Sequence, residues 1–176
     1  LEINPDEFQQ AITPKTRLVL IAHLFGARMD MAPVFEITDQ YPNILVAEDC
    51  AQAFSGIDEY RGHEKSDLSL FSFGAIKTAT ALGGAMCRIQ NREQREAVRA
   101  LLNEYPAQST GRFARRALKY ACLKVLSQRW IYGAFVRACH WVRIDFDQLP
   151  VSIVRGFKGE DLIPMIRHQP ALPQMA

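Results

Sequence analysis

The chain has 176 residues, of which 48% are hydrophobic and 23% are charged. This composition is ordinary for a globular protein and excludes a collagen-like chain, a disordered tail and a disulfide-rich miniprotein. The net charge of +2 is too small to indicate nucleic-acid binding by itself. No stretch without Asp, Glu, Lys or Arg exceeds ten residues, so the sequence predicts no membrane-spanning helix.

The N-terminus and the cysteines bear on the origin and the compartment of the chain. The N-terminus lacks the basic and apolar regions of a signal peptide and has no initiator Met, so we expect a piece of a longer protein. Cys50, Cys87, Cys122 and Cys139 form no C-x-x-C pair. They predict buried free thiols in a reducing cytoplasm, without a zinc site or disulfides.

The first half of the chain alternates helical and strand-like segments. Residues 5–12 have the pattern of a short helix, and the apolar run 17–22 is predicted as a strand buried on both faces. Asp30 is predicted to cap a helix over 31–41, and a second apolar strand follows over 44–47. The order strand, helix, strand predicts a right-handed βαβ unit.

Two more strands and a helix follow. A polar loop over 54–67 precedes a strand over 68–73. A tight turn at Gly83 and Gly84 precedes a strand over 85–90, and a charged helix over 92–103 comes next. These elements predict an α/β fold with a mostly parallel sheet and flanking helices.

We divide the chain into three predicted parts. Residues 1–104 form the α/β domain, residues 105–144 a basic amphipathic helical segment, and residues 145–176 an irregular segment rich in Pro. The basic segment is predicted as one or two helices, with a break near Gly133. It contains no Asp or Glu and carries a charge of +8, from Arg112, Arg115, Arg116, Lys119, Lys124, Arg129, Arg137 and Arg143.

Three interpretations of the basic segment remain open. It can be a solvated or partner-facing helical excursion. It can attach to an anionic membrane surface, because Trp130, Tyr132, Phe135 and Trp141 alternate with basic residues. It can also form an electropositive rim that attracts a nucleotide-linked sugar.

Three side chains near strand ends are candidates for chemistry, because ligands bind at the carboxyl ends of parallel strands. Asp49 can hold a cationic ring nitrogen or a metal, or it can cap a backbone turn. Ser72 can bind a ligand or the local backbone. Lys77 lies among small uncharged residues, and a lysine in such surroundings is a nucleophile as the free amine; the alternative is a surface lysine that snorkels to solvent.

Together these residues resemble the DegT/StrS-type sugar aminotransferases, which are fold-type-I enzymes that use pyridoxal 5′-phosphate (PLP). The resemblance covers roughly residues 1–90, in the order and near the spacing of the family. The chain would then be an internal part of the large PLP-binding domain, followed by the basic helical segment. The matching stretches are Ile12-Thr13-Pro14-Lys15-Thr16-Arg17, His23-Leu24-Phe25-Gly26, Glu48-Asp49-Cys50-Ala51-Gln52-Ala53, Phe71-Ser72-Phe73-Gly74-Ala75-Ile76-Lys77 and Gly83-Gly84-Ala85.

The resemblance implies roles for five residues. Lys77 would form the Schiff base with PLP and later carry the proton between substrate and cofactor. Asp49 would pair with the pyridine nitrogen. Ala51 would pack against the ring, Gln52 would approach the ring and its 3′-oxygen, and Ser72 would donate a hydrogen bond to the phosphate.

The implied activity is transfer of an amino group from glutamate or glutamine to a keto sugar, typically nucleotide-linked, by a homodimer. Lys77 argues against the sugar dehydratases of the same family, which carry His at that position. His23 is interpreted as a structural residue near the same crevice. Leu82 replaces an acidic residue that many members carry, which is predicted to change loop packing. The alternative hypothesis is a truncated, non-catalytic chain that acts at most as an interaction module.

Overall fold

A computed structural model describes residues 2–141 and 167–171 of the chain. The chain divides into two compact units, Leu1–Leu101 and Leu102–Ala176. The elements in chain order are α1 Pro5–Ala11, β1 Leu18–Ala22, α2 Ala32–Thr38, β2 Leu45–Asp49, β3 Leu68–Ser72, β4 Ala85–Ile89, α3 Arg92–Asn103, α4 Thr110–Leu126 and α5 Arg129–Trp141.

The strands form one four-stranded sheet in the order β1-β2-β3-β4. β1 pairs with β2 and β2 with β3 in parallel, whereas β4 pairs with β3 antiparallel. The predicted α/β fold with a mostly parallel sheet is therefore confirmed. In this arrangement the carboxyl ends of β2 and β3 lie at the same edge of the sheet.

Helix α2 is shorter than the predicted helix over 31–41. The cap position is Met31, one residue after the predicted Asp30, although the Asp30 side chain accepts a hydrogen bond from the backbone N–H of Ala32 at 3.0 Å. At the other end the N–H of Tyr41 bonds the Thr38 carbonyl at 2.8 Å, a tighter turn than an α-helix makes. Pro42 follows directly and cannot continue a helix.

The core of the first unit lies between one face of the sheet and α2. Buried side chains of β1 and β2 pack there against α2 and the residue before it: Val19, Ile21, Val46, Met31, Val34 and Phe35. The opposite face of β1 is exposed, including Leu18 and Leu20. The prediction that β1 is buried on both faces is therefore wrong for the described residues, because α2 covers only one side of the strand.

The described part of the second unit includes the helices α4 and α5. They are separated at Ser127, whose Oγ donates to the Lys124 carbonyl at 2.7 Å, and Gly133 lies inside α5. The predicted break near Gly133 is therefore wrong in position. Among the described residues, no helix is long and apolar enough to cross a membrane. Most of the predicted irregular segment 145–176 lies outside the described residues, and the three-part division stays a prediction.

Candidate active site

The ends of β2 and β3 place two candidate side chains on the same face of the sheet. Asp49 ends β2 and is paired with Leu70 of β3. Ser72 ends β3 two residues after Leu70, so it points to the same side as Leu70. Both residues are half-buried. The parallel register therefore brings a carboxylate and a hydroxyl to one edge of the sheet.

A cleft of about 430 Å³ lies in the first unit. It is lined by three of the predicted site residues, Ala51, Gln52 and Lys77, which the fold brings together from two loops that follow β2 and β3. Asp49 and Ser72 are not in its lining. The remaining lining residues are Phe25, Gly26, Phe54, Ile76 and Thr78.

Lys77 is a half-buried cation in this cleft. Its backbone N–H donates to the Gly74 carbonyl at 3.0 Å, which fixes the loop that carries it. Within residues 2–141 and 167–171 its ammonium group forms no ion pair. No described acid holds Lys77, so its side chain is available to a ligand or to solvent, and both interpretations of this lysine stay predictions.

Gly74 lies close to the side chains of both Lys77 and Ser72. A Cβ built on Gly74 would lie 3.8 Å from Lys77 Cγ and 3.9 Å from Ser72 Oγ, so the glycine backbone lies against both side chains. The Ser72 hydroxyl makes no hydrogen bond to any described residue. A half-buried hydroxyl in this state is a donor that a bound anion can use.

Asp49 has one oxygen engaged and one available. Its Oδ1 accepts a hydrogen bond from the backbone N–H of Ala51 at 2.9 Å. Asp49 therefore caps a backbone turn, which was one of its two interpretations. Its Oδ2 has no hydrogen-bond or ion-pair partner in the part of the chain that the structure describes. The capping bond holds the carboxylate in place and leaves the second oxygen free to pair with a cation.

Gln52 holds the loop after β1. Its Oε1 accepts a hydrogen bond from the backbone N–H of Phe25 at 3.1 Å. Phe25 and Gly26 have φ values of 57° and 80°, and the Phe25 side chain is 88% exposed. Sequence reasoning assigned no role to Phe25, although the stretch His23-Leu24-Phe25-Gly26 was part of the resemblance. The signal that marks Phe25 is structural: a non-glycine residue in the left-handed region, beside the cleft, is uncommon.

A buried hydrogen-bond network around Glu48 was also not predicted. Glu48 and His23 are both inaccessible to solvent, and His23 Nε2 lies 2.8 Å from Glu48 Oε2. The backbone N–H of Met29 donates to His23 Nδ1 at 3.0 Å, so the ring proton is on Nε2 and is donated to Glu48. His23 thereby fixes the loop 24–29, which carries Phe25. The structural interpretation of His23 agrees with this placement.

Glu48 accepts further hydrogen bonds from residues distant in sequence. The Tyr60 hydroxyl donates to Oε2 at 3.2 Å, and Oε1 accepts from the His63 backbone N–H at 2.7 Å and from Ser69 Oγ at 3.3 Å. Burial by itself raises the pKa of Glu48, but the hydrogen bonds from His23 and from the His63 amide hold that pKa below its ordinary value. Glu48 is therefore an ionised group on β2 that binds the residue after β1, a residue of β3 and the loop 60–63.

The comparison with known families decides the identity of the chain. A sequence model described as the DegT/DnrJ/EryC1/StrS aminotransferase family matches residues 1–120. The chain belongs to this family. The match extends past the 90 residues of the initial resemblance and into α4.

Individual relatives and one solved structure agree with this membership. The chain is 35% identical over 88 residues to GDP-perosamine synthase from Escherichia coli O157:H7, which covers 48% of the chain and 23% of that protein. It is 36% identical over 76 residues to L-glutamine:2-deoxy-scyllo-inosose aminotransferase from Streptomyces kanamyceticus, covering 43% of the chain and 16% of that protein. The structure is similar to an aminotransferase from Psychrobacter cryohalolentis, with a TM-score of 0.50 and 26% identity over 59% of the chain and 27% of that protein.

The family uses PLP as its cofactor. The residues at the strand ends fit such a group in their chemistry. Within the described part of the chain, Lys77 offers an amine without an ion pair, Asp49 a carboxylate with an available oxygen and Ser72 a hydroxyl without a hydrogen bond. The matched regions span about a quarter or less of the lengths of the two named relatives.

Proposed function

We propose that the protein of which this chain is part is a PLP-dependent aminotransferase that transfers an amino group from glutamate or glutamine to a keto sugar. The observation that carries this proposal is Lys77, a half-buried amine without an ion pair among the described residues, in a cleft built from family motifs. When bound, PLP supplies the electron sink that stabilises a carbanion at the amino-bearing carbon.

Four side chains of this chain would then bind the cofactor or transfer a proton. Lys77 would bind the cofactor covalently and, after its release, accept and return a proton at Nζ. The available Oδ2 of Asp49 would keep the cofactor's ring nitrogen protonated, and the Ser72 hydroxyl would donate to its phosphate. The small side chain of Ala51 would leave space for the ring.

The orientation of Gln52 supports a further assignment. Because its Oε1 accepts from the Phe25 backbone N–H at 3.1 Å, its amide nitrogen is the group left to donate toward the cleft. A donor there suits the 3′-oxygen of the cofactor. The same bond couples the position of Gln52 to the loop that carries Phe25.

The names of the two relatives support the substrate class. One is named for a GDP-linked amino sugar and the other for glutamine as donor and an inosose as acceptor. We propose a nucleotide-linked keto sugar as acceptor, a homodimer as the active assembly and polysaccharide biosynthesis as the use of the product. Cys50 and Cys139 are buried, whereas Cys87 and Cys122 are exposed, so the prediction of buried thiols is wrong for the latter two.

The test is covalent trapping of PLP on the purified full-length protein. Borohydride reduction followed by peptide mass spectrometry should find pyridoxyl label on Lys77, together with a visible absorption band before reduction. Lys77→Ala should abolish both signals. The exposed Lys15→Ala variant should retain them. Full-length protein with PLP that shows neither signal would contradict the proposal and favour the non-catalytic alternative.

The acceptor and donor need a separate measurement. Amino transfer from glutamate or glutamine to a set of nucleotide-linked keto sugars can be followed by mass spectrometry of the sugar product. Labelling of Lys77 without any sugar amination would retain the cofactor assignment and overturn the substrate class.

A further inference from the structure

The helices α4 and α5 carry only positive charge. Between Tyr105 and Trp141 the sequence contains no Asp or Glu. Within the described ranges, five of the basic residues form no ion pair with an acid: Arg112, Arg115, Lys124, Arg129 and Arg137. A cluster of unpaired cations raises the local positive potential and attracts a polyanion.

An exposed stripe runs along α5. It follows the helical spacing i, i+4, i+7, i+8 and i+11, and its members are Trp130, Ala134, Arg137, Ala138 and Trp141. The two indoles are 84% and 89% exposed, respectively. An indole is a large apolar surface with a single polar N–H, so its full exposure to water is unfavourable.

The same spacing recurs on α4. Exposed residues with short or apolar side chains occupy i, i+4, i+7, i+8 and i+11, namely Ala114, Leu118, Ala121, Cys122 and Val125. Leu118 is 66% and Val125 56% exposed. On a helical wheel Arg115, Lys119 and Arg112 border this stripe on one side. Each helix therefore combines an exposed apolar stripe with basic residues.

We propose that α4 and α5 form a docking surface for an anionic lipid bilayer, here called the basic surface. Basic side chains beside an apolar stripe match anionic headgroups above acyl chains, and Trp favours that interface. A nucleic acid would satisfy the cations and can stack on indoles, but it offers no apolar layer for Leu118 and Val125. The basic surface is independent of Lys77 and of the proposed reaction.

Tryptophan fluorescence reads this surface directly, because Trp130 and Trp141 are the two tryptophans of the chain. Full-length protein is mixed with vesicles of phosphatidylcholine alone or with about one-third phosphatidylglycerol, a composition that gives a negative surface potential. The expected result is co-sedimentation and an emission shift to shorter wavelength with anionic vesicles only. Any other tryptophans of the full-length protein are first replaced by Phe.

Charge and apolar variants separate the two contributions. Replacing Arg112, Arg129 and Arg137 by Gln should weaken vesicle binding roughly 100-fold, from about fivefold for each charge. The matched control replaces the exposed Lys15, Arg61 and Arg99 by Gln and should change binding less than fivefold. Trp130→Ser with Trp141→Ser should also lose vesicle binding, with an unchanged circular dichroism spectrum as the check of folding.

Other outcomes overturn the proposal. Equal binding of polyuridylate without an emission shift would identify a nucleic-acid surface. Emission already at short wavelength in the absence of vesicles, and dependent on protein concentration, would show that a second copy covers the stripes. Equal loss of binding in the matched control would show attraction by overall charge without a defined surface.

Discussion

The sheet region and the helices α4 and α5 differ in whether their charged side chains have partners of opposite charge or hydrogen-bond donors. In the sheet region Glu48 is buried and receives hydrogen bonds from four side chains or backbone groups, and Lys65 pairs with Asp39 at 2.9 Å. In α4 and α5 the acids are missing and several basic residues have no acidic partner among the described residues. Partnered charges position the candidate site, whereas unpartnered charges define a surface for another molecule.

The largest expected effect tests how tightly the Glu48 network is packed. Gly62 has a φ of 80°, and a Cβ there would lie 2.2 Å from Ser69 Oγ and 2.9 Å from Glu48 Oε1. Gly62→Ala should lower the free energy of unfolding by about 3 kcal/mol, measured by thermal or urea unfolding of the purified protein.

Gly26→Ala is the matched control for that prediction. Gly26 also has a φ of 80°, but nothing lies within 4 Å of a built Cβ. Its loss should be only the backbone strain of about 1 kcal/mol. Equal losses at the two glycines would show that packing around Glu48 does not matter.

The next prediction compares a buried thiol of the sheet region, Cys50, with an exposed thiol of α4, Cys122. Burial raises the pKa of the Cys50 thiol to about 11, and the neighbouring carboxylates act in the same direction. Two pKa units above an ordinary thiol leave about 100-fold less thiolate at pH 8. Iodoacetamide should therefore modify the exposed Cys122 long before Cys50, as followed by mass spectrometry. In denaturant the two rates should converge; equal rates in native protein would contradict the burial of Cys50.

The next prediction sharpens the role of the ionised Glu48. Glu48→Gln keeps the shape but removes the charge that accepts the His23 and Tyr60 hydrogen bonds, so it should cost about 2 kcal/mol at neutral pH. The folded-state pKa of Glu48 lies below its ordinary value of 4.5. The charge therefore stabilises the protein fully above about pH 4.5 and ceases to do so as the pH falls through the lowered pKa.

The measurement is the unfolding free energy of wild type and Glu48→Gln as a function of pH. The difference between them should be constant near neutral pH and should shrink in acid. A difference that is the same at every pH would contradict an ionised Glu48 in the folded state.

The smallest effect is expected for an exposed pair in the same region. On α3 the Arg92 Nε atom lies 2.8 Å from Glu96 Oε1, at the spacing i, i+4. Both side chains are largely exposed. Glu96→Gln should change the unfolding free energy by no more than about 0.5 kcal/mol. A loss comparable with that of Glu48→Gln would remove the distinction between buried and exposed charges.

The sequence predicted local elements well where their signals are local. The helix over 92–103 was predicted correctly, and the Asn91 side chain accepts from the Gln94 backbone N–H at 3.1 Å as a cap does. The strand over 68–73 was predicted to within one residue of Leu68–Ser72. Period, capping residues and glycine turns depend on neighbours along the chain, which a sequence displays directly.

The candidate site was predicted in its residue types, and those assignments remain predictions. The motif around Asp49, Ser72 and Lys77 gave the family, and the family match confirmed it. The sequence did not indicate that Asp49 uses one oxygen for the Ala51 N–H and leaves the other available. That division depends on the angle at which the loop leaves β2.

The sequence by itself determined the family, the alternation of strands and helices, and the absence of acids from residues 105–144. Only the tertiary structure decided that Glu48 binds His23 and Tyr60, 25 and 12 residues away, and that one face of β1 and the stripes of α4 and α5 are exposed. The reason is that burial and partner choice depend on contacts between residues distant along the chain, whereas motifs and periodicity are properties of neighbours.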